Sequence, residues 1–316
     1  MPKASVVIAT YNRPQYVCQT IDSILSQAFQ DLEIIVVDDG SRDETRQILA
    51  QYGNRIRYFY RPNQGVCAAR NFGFTKTSGE YVAFMDDDDL WLPETLEKLI
   101  EVMTRNPESA FVCAHTYIID REGNVGMIKK ENEGLSSTFH DLYEKWFVQL
   151  PTVLIRRSCL ERVGLFDEEV FGSECYDLWL RLAKRYPFHY IDEPLAKYRV
   201  HAQNTSKNLD LILRARRKVI NKNEITEGMS LLEKITRNAK LYHKFAGMYY
   251  YRQNYLKAGI NYFKAVATYP LVGMYYWPSE INFRSSLPYR IMKAYWQIVD
   301  SFAKAFISSG HLAKPE

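Results

Sequence analysis

The sequence of 316 residues lacks long hydrophobic runs and blocks of basic residues. No apolar stretch reaches the roughly 20 residues that a membrane-spanning helix needs, and Met1-Pro2-Lys3 leads into a strand-like segment rather than a signal peptide. The formal net charge is only +4, so the composition gives no indication of nucleic-acid binding. From these absences we expect a cytoplasmic protein that does not bind nucleic acid.

Paired cysteines and glycine-rich nucleotide motifs are missing as well. The five cysteines are scattered without C-x-x-C spacing, which favours reduced thiols over disulfides or zinc ligands. Dinucleotide fingerprints and phosphate loops of the G-x-x-x-x-G-K type are absent, which argues against the main alternative nucleotide-binding folds. The remaining composition is ordinary for a globular protein, with 47% hydrophobic and 25% charged residues.

One local feature is extreme, a run of four aspartates from Asp86 to Asp89. The residues before it, Tyr81 to Met85, are apolar and predict a buried strand. Carboxylates at close range repel one another, so a divalent cation, alone or carrying phosphates, would stabilise the run. All-oxygen ligation suits Mg²⁺ or Mn²⁺. The alternative is a solvated acidic turn whose last aspartate caps the helix that begins near Pro93. That alternative accounts for one or two of the four aspartates.

Strands and helices alternate in the predicted first part of the chain. The predicted strands are 4–9, 32–37, 56–60 and 81–85. The predicted helices begin at Pro14, after the caps Ser41 and Asp43, and at Gly65. This alternation predicts an α/β fold, a mostly parallel sheet with helices on both faces. Ligands of such sheets bind beyond the carboxyl ends of the strands. We therefore expect one crevice that is shared by the segments 10–13, 38–39 and 86–89.

Four segments carry a resemblance to a known family. They read S-V-V-I-A-T-Y-N-R at 5–13, V-V-D-D-G-S at 36–41, N-Q-G with A-R-N at 63–71, and F-M-D-D-D-D at 84–89. Over about residues 1–205 the chain resembles glycosyltransferase family 2, whose fold is GT-A. The resemblance implies an inverting enzyme that uses Mn²⁺ or Mg²⁺ to move a sugar from a nucleotide-sugar donor, a UDP-sugar being favoured, to a hydroxyl. The acceptor would be a glycan or a lipid-linked molecule, in polysaccharide or glycolipid biosynthesis.

The resemblance also assigns donor-site residues by position. Thr10 and Tyr11 would line the base pocket, and Asp39 would accept a hydrogen bond from the base. Asp88 would be the principal metal ligand of the family's D-x-D pattern. The whole nucleotide-binding set that it implies is Thr10, Tyr11, Arg13, Asp39, Arg70, Asp86 and Asp87, with Arg70 near the base or phosphate and Asp86 on the ribose.

The acceptor-side base is an open question in the sequence. In the family, the segment at 174–177 usually reads Glu-Asp, an aromatic residue and another Asp, and the second residue is the base. Cys175 stands there, and a thiol near its ordinary pKa is mostly protonated at neutral pH. One alternative is that Glu174 or Asp177 is the base. A second alternative is that Glu174 and Asp177 only stabilise the N-terminus of the helix by their negative charge. A third is that the protein binds sugar nucleotides with little turnover.

His201 follows a predicted strand in the segment 198–206, which is similar to the family's closing motif. The resemblance implies that His201 is a metal ligand, and a neutral imidazole suits Mn²⁺ more than Mg²⁺. The alternative is a structural histidine that satisfies its hydrogen bonds within the protein.

We expect a catalytic domain at 1–208, with a nucleotide-sugar half at 1–105 and an acceptor half at 106–208, and an α-helical C-terminal region at 209–316. Residues 239–270 space small and aromatic residues like one helical hairpin of the tetratricopeptide kind. Residues 289–307 mix aromatic and basic side chains. They predict either an interfacial helix in peripheral contact with a membrane or a helix packed on the protein.

Overall fold

The computed structural model describes residues 1–129, 137–144, 147–223 and 231–269, together with residues 297, 298, 300–302 and 304. The chain divides into two compact units, Met1–Lys207 and Asn208–Glu316. The helix predicted at 289–307 lies mostly outside the described residues. No helix among the described residues is both long enough and apolar enough to cross a bilayer.

The first part of unit 1 alternates strands and helices, which confirms the α/β prediction. Its elements are β1 (Ala4–Thr10), α1 (Pro14–Leu25), β2 (Leu32–Asp38), α2 (Thr45–Leu49), β3 (Arg57–Tyr60), α3 (Val66–Phe74) and β4 (Tyr81–Asp86). The β1 strand pairs in parallel with β2 and β4, and β2 pairs in parallel with β3. Of the two caps predicted for α2, Asp43 accepts the Thr45 amide, whereas the Ser41 hydroxyl accepts the Asn12 amide and does not cap the helix.

The second part of unit 1 completes a mixed sheet. It contains β5 (Leu90–Trp91), α4 (Thr95–Arg105), β6 (Phe111–Ile119), β7 (Val125–Lys129), α5 (Phe139–Glu144), β8 (Leu154–Arg156), α6 (Arg157–Val163), α7 (Glu174–Ala183) and β9 (Phe188–Arg199). The strand order is β3-β2-β1-β4-β8-β6-β9-β5, with β7 beside β6. The β8 strand is antiparallel to both of its neighbours, β4 and β6. Beyond β4 the sheet is therefore no longer purely parallel.

The core lies between the sheet and its helices. The α1 helix buries Val17, Ile21 and Ile24 in the cluster that also contains the inward side chains of β1 and β4. On α3 a Cβ atom at Gly73 would lie 2.4 Å from a methyl group of Val7. Glycine at this position therefore lets α3 pack closely on the sheet, and this packing fixes the strand ends that carry the polar loops.

Unit 2 is helical, as the sequence predicted for the C-terminal region. It contains α8 (Leu209–Asn223), α9 (Leu231–Tyr251) and α10 (Tyr255–Thr268). The α9 and α10 helices pack together as a hairpin whose connection ends at Asn254, and the Asn254 side chain accepts a hydrogen bond from the Lys257 amide. The Tyr249 hydroxyl donates to Asp210 at 2.6 Å and ties α9 to α8. Whether this hairpin is a repeat unit stays a prediction.

Candidate active site

A cavity of about 400 Å³ lies at the carboxyl ends of the first parallel strands. In the sheet register Thr10 is opposite Asp38, and Ala9 is opposite Asp86. The loops that follow β1, β2 and β4 therefore open into one crevice. The cavity is lined by Ala9, Thr10, Tyr11, Arg13, Asp39, Asn63, Gly65, Val66, Arg70, Asp86, Asp87, Asp88, Phe171, Glu174, Tyr198, Asn204, Thr205 and Ser206. All seven residues of the nucleotide-binding set predicted from the sequence are among them.

The aspartate run forms a compact group of oxygen ligands. One carboxylate oxygen from each of Asp86, Asp88 and Asp89 lies within 4.8 Å of the others. Asp89 Oδ1 accepts the Arg199 amide at 3.0 Å, whereas the buried Asp89 Oδ2 has no hydrogen-bond partner among the described residues. A buried carboxylate oxygen without a partner is costly, and hard oxygen ligands fit Mg²⁺ or Mn²⁺. The residues present therefore fit a divalent cation.

The negative charges in this acidic group lie close together and are buried. Burial raises the pKa of Asp87 to about 7 and that of Asp88 to about 6, and the nearby carboxylates add to both shifts. Burial likewise holds the pKa of Asp89 well above its ordinary value. Arg13 opposes these shifts, since its Nη1 lies 2.9 Å from both Asp87 Oδ1 and Asp88 Oδ2. Arg70 pairs with Asp86 in the same way, and a divalent cation would compensate the carboxylate charge that remains.

His201 reaches the acidic group through Asp88. Its Nε2 lies 2.7 Å from Asp88 Oδ2, and its ring stacks on Tyr16 with centroids 5.3 Å apart. Burial lowers the pKa of His201, and the nearby Arg13 lowers it further. The imidazole is therefore neutral at neutral pH, the form that binds a metal.

The donor-side residues also hold one another in place. Thr10 Oγ1 donates to Asp87 Oδ2 at 2.8 Å. Asp39 is buried, and its Oδ2 accepts the Gly65 amide at 2.8 Å, so this carboxylate fixes the loop before α3 as well as lining the cavity. Tyr11 is 43% exposed and offers its ring at the cavity wall.

Arg70 is a buried cation that joins the donor and acceptor sides. It forms an ion pair with Asp86 and another with Glu174, whose Oε1 lies 3.1 Å from Arg70 Nη1. Its guanidinium also lies over the Phe166 ring, 5.1 Å from the centroid. Because both carboxylates line the cavity, Arg70 fixes the distance between the aspartate run and the start of α7.

The three candidate bases differ in their access to the cavity. Glu174 lines it, and its Oε2 accepts the Gly172 amide at 2.7 Å. Cys175 is not part of the lining; its Sγ lies 3.7 Å from Arg70 Nη1, and burial raises the pKa of its thiol. Asp177 is fully buried, and its Oδ2 accepts from Arg181 Nε at 2.8 Å. The structure thus brings Glu174 to the cavity and leaves Asp177 in the interior.

Sequence reasoning missed several residues that shape this site. Arg199 is buried, donates its amide to Asp89 and places its Nε 2.9 Å from the Asp88 carbonyl. Tyr198 and the segment 204–206 line the cavity. Tyr198 lies near the end of the long β9 strand and residues 204–206 come shortly after it. This position was a usable signal, but only His201 was selected from the segment. Asn63 belongs to one of the four motifs but was given no role, and nothing in the sequence pointed to Phe171, which comes from a loop.

The fold and the acidic cavity define a transferase of the GT-A class, and comparison with known proteins identifies the family. The family model described as "Glycosyl transferase family 2" matches residues 5–164, about half of the chain. The chain therefore belongs to glycosyltransferase family 2 and is an enzyme of the sugar-transferring kind. This confirms the resemblance found in the sequence motifs.

One relative has a specific name. The chain is 36% identical over 216 residues to the GalNAc(5)-diNAcBac-PP-undecaprenol beta-1,3-glucosyltransferase of Campylobacter jejuni, covering 65% of this chain and 67% of that protein. The chain also matches uncharacterised glycosyltransferases of Rickettsia species, and the matched region covers between 31% and 68% of the length of those proteins.

Two solved structures share the fold. Staphylococcus aureus TarS 1–349 in complex with UDP-GlcNAc superposes with a TM-score of 0.65 and 16% identity, over 98% of this chain and 92% of that chain. The mannosyltransferase PcManGT from Pyrobaculum calidifontis in complex with GDP-Man and Mn²⁺ gives a TM-score of 0.59 and 18% identity, over 96% and 86% of the two chains. These likenesses confirm the GT-A fold.

Proposed function

We propose that the protein transfers a sugar from a nucleotide-sugar donor to a hydroxyl group, with inversion at the anomeric carbon. The observation that carries this proposal is that the aspartates 86–88 and Glu174 line the same cavity. The aspartates, through a bound cation, can neutralise the charge of a departing diphosphate. Glu174 can accept the proton of an attacking hydroxyl. A single displacement needs both functions on opposite sides of one sugar.

Asp86, Asp88 and Asp89 would hold the metal, Mn²⁺ or Mg²⁺, with His201 as a further ligand. A bound divalent ion supplies charge neutralisation for the leaving diphosphate. Asp89 Oδ2, for which the described part of the chain offers no partner, and the close spacing of the three carboxylates support this assignment. The Mn²⁺ in the PcManGT complex supports it from a protein of the same fold.

The donor would occupy the wall formed by the loops after β1 and β2. Tyr11 offers an aromatic surface for the base, and Thr10 and Asp39 lie beside it. Arg13 lines the cavity with a guanidinium that is bound only to carboxylates among the described residues, so it is suited to pair with phosphate oxygens. We favour a UDP-sugar, and the UDP-GlcNAc in the TarS complex supports that choice.

Glu174 is the base in this proposal. Its carboxylate would accept the proton of the acceptor hydroxyl as the oxygen attacks the anomeric carbon and the nucleoside diphosphate leaves. Arg70 holds Glu174 from one side and the Gly172 amide holds it from the other. These contacts restrict the carboxylate to one orientation, which is what a positioned base requires. Asp177 would instead stabilise α7 through Arg181.

The acceptor would be a glycan or a lipid-linked molecule, and the pathway the synthesis of polysaccharide or glycolipid. The undecaprenol-linked substrate in the name of the Campylobacter jejuni relative supports the lipid-linked choice. The enzyme would act in the cytoplasm, with peripheral contact at the membrane where such acceptors are found.

The test is a panel of UDP-, GDP- and dTDP-sugars, each incubated with the protein and Mn²⁺, Mg²⁺ or a chelator while nucleoside diphosphate release is measured. We expect release from one donor class, with metal, and none with the chelator. Metal-independent release would contradict the metal assignment. Tight nucleotide binding without release or transfer would instead support a sugar-nucleotide-binding protein, the alternative that Cys175 at the family's base position suggests.

A further inference from the structure

The α10 helix carries apolar side chains on both of its faces. One face, with Ala258, Tyr262, Ala265 and Val266, is buried. On the other side Leu256, Ile260 and Phe263 are 54%, 37% and 60% exposed, and Ala267 is exposed as well. Positions 256, 260, 263 and 267 follow the spacing of one helical stripe. This stripe, which we call the outer face, lacks the polar residues that normally cover a surface helix.

The outer face lies in a strongly basic part of the sequence. Residues 234–279 contain no Asp or Glu, and their basic residues are Lys234, Arg237, Lys240, Lys244, Arg252, Lys257 and Lys264. Arg252, Lys244 and Lys264 are exposed. Asp210 binds Lys257 and Tyr249, and Asp300 accepts from the Tyr250 hydroxyl. These acidic contacts do not involve the side chains of the outer face.

We propose that the outer face of α10 binds an anionic lipid surface. An apolar stripe with basic residues nearby is the pattern by which a helix lies in the headgroup region of a bilayer, with the stripe inserted and the basic residues paired with lipid charges. Lys264, one helical turn after Ile260 on α10, is such a residue. The residues of this stripe lie in α10 and not in the segment 289–307. The proposal does not depend on the transferase activity.

A second copy of the chain fits this face less well. A symmetric dimer would bring the same surface of each copy together, and so would place two basic regions against each other. The resulting like-charge repulsion opposes self-association, whereas the same charge attracts phosphatidylglycerol or other anionic lipids. Charge complementarity therefore favours the membrane over the dimer.

The experiment is co-sedimentation of the full chain with two kinds of vesicle, phosphatidylcholine alone and phosphatidylcholine with phosphatidylglycerol. The test variant carries Leu256→Gln, Ile260→Gln and Phe263→Gln together, since glutamine is compatible with an exposed helix. The matched control removes three exposed apolar side chains from β7 instead, with Val125→Gln, Met127→Gln and Ile128→Gln; these residues are 52%, 72% and 39% exposed. Circular dichroism checks that both variants fold.

We expect the full chain and the β7 control to sediment with the anionic vesicles and to be released by salt. The α10 variant should bind about a hundredfold more weakly, because it loses the apolar insertion. Lys264→Glu should also weaken binding to anionic vesicles. Donor hydrolysis without vesicles should be the same in all of these proteins, so failure of the transferase proposal would appear separately.

Several results would overturn the proposal. The α10 variant could sediment as well as the full chain, or binding could be independent of lipid charge. A truncation before residue 289 that loses all binding while the α10 variant keeps it would assign the contact to the last segment instead. A dimer in analytical ultracentrifugation that the α10 variant abolishes would identify the face as a contact between copies.

Discussion

The substitution Glu174→Gln removes the proposed base and keeps its size. A positioned general base contributes about a hundredfold to ten-thousandfold in rate, so transfer should fall by that factor, which equals about 3–5 kcal/mol of barrier. Glu174 makes no contact with Asp88 or Asp89, and Arg70 keeps its pair with Asp86. Nucleotide affinity in the presence of metal should therefore stay close to that of the unaltered protein.

The same substitution should also destabilise the fold slightly. The glutamate accepts from two donors, Arg70 at 3.1 Å and the Gly172 amide at 2.7 Å. A glutamine presents one oxygen, so one donor loses its partner at a cost of about 1–3 kcal/mol. Thermal denaturation measures this cost, and transfer assays belong well below the new melting temperature. The loss of transfer is then a property of the folded protein.

Two matched variants control the assignment. Asp177→Asn breaks the buried pair with Arg181, so it should lower the melting temperature and leave transfer nearly unchanged. Cys175→Asp adds a carboxylate beside Glu174 and should not raise transfer. The reasoning is refuted if Glu174→Gln keeps full transfer while Asp177→Asn loses it. It is equally refuted if Cys175→Asp increases transfer by the factor expected of a base.

Three further predictions concern the acidic group. Arg13→Gln should raise the affinity for Mn²⁺ alone by about tenfold, because it removes a cation from two carboxylates; calorimetry showing unchanged or weaker metal binding would contradict this. His201→Ala should lower the activity with Mn²⁺ relative to that with Mg²⁺, whereas an unchanged ratio would exclude His201 as a ligand. The raised pKa values of Asp87 and Asp88 mean that the fold favours their protonated forms. Their contribution to the free energy of unfolding is therefore complete below the unfolded pKa of about 4 and is lost as pH rises through 6 to 7. Metal should therefore raise the melting temperature more at pH 8 than at pH 5, and an equal rise at both would contradict the shifts.

The donor half of the site was largely predictable from local sequence. Buried apolar segments followed directly by Thr10, Asp38 or Asp86 show both the strands and the loops, and the parallel register brings their ends together. The choice of Asp88 within the run came from the resemblance to the family's D-x-D pattern, whereas the prediction of a cation came from the charge of four aspartates directly after a buried strand. Such inferences need only the neighbouring residues and the rule that ligands bind beyond strand ends.

The acceptor half depended on contacts between distant segments. The position of β8 between β4 and β6, antiparallel to both, has no local signal. Arg70 was assigned to base or phosphate from its motif, while its pairing with Glu174 spans more than a hundred residues of sequence. Glu174 and Asp177 belong to the same helix turn, and only the packing of α7 shows which of them faces the cavity.

The most direct test of the account is metal-dependent donor binding by Asp88→Ala. Asp88 lies at the centre of the acidic group, in contact with Arg13 and His201 and close to Asp86 and Asp89. Titration of UDP or the active donor, with and without Mn²⁺, measures the affinity that the metal adds. We predict that the variant folds normally and that its nucleotide affinity with Mn²⁺ falls to the value without metal. Undiminished metal-dependent binding and transfer by Asp88→Ala would contradict the account.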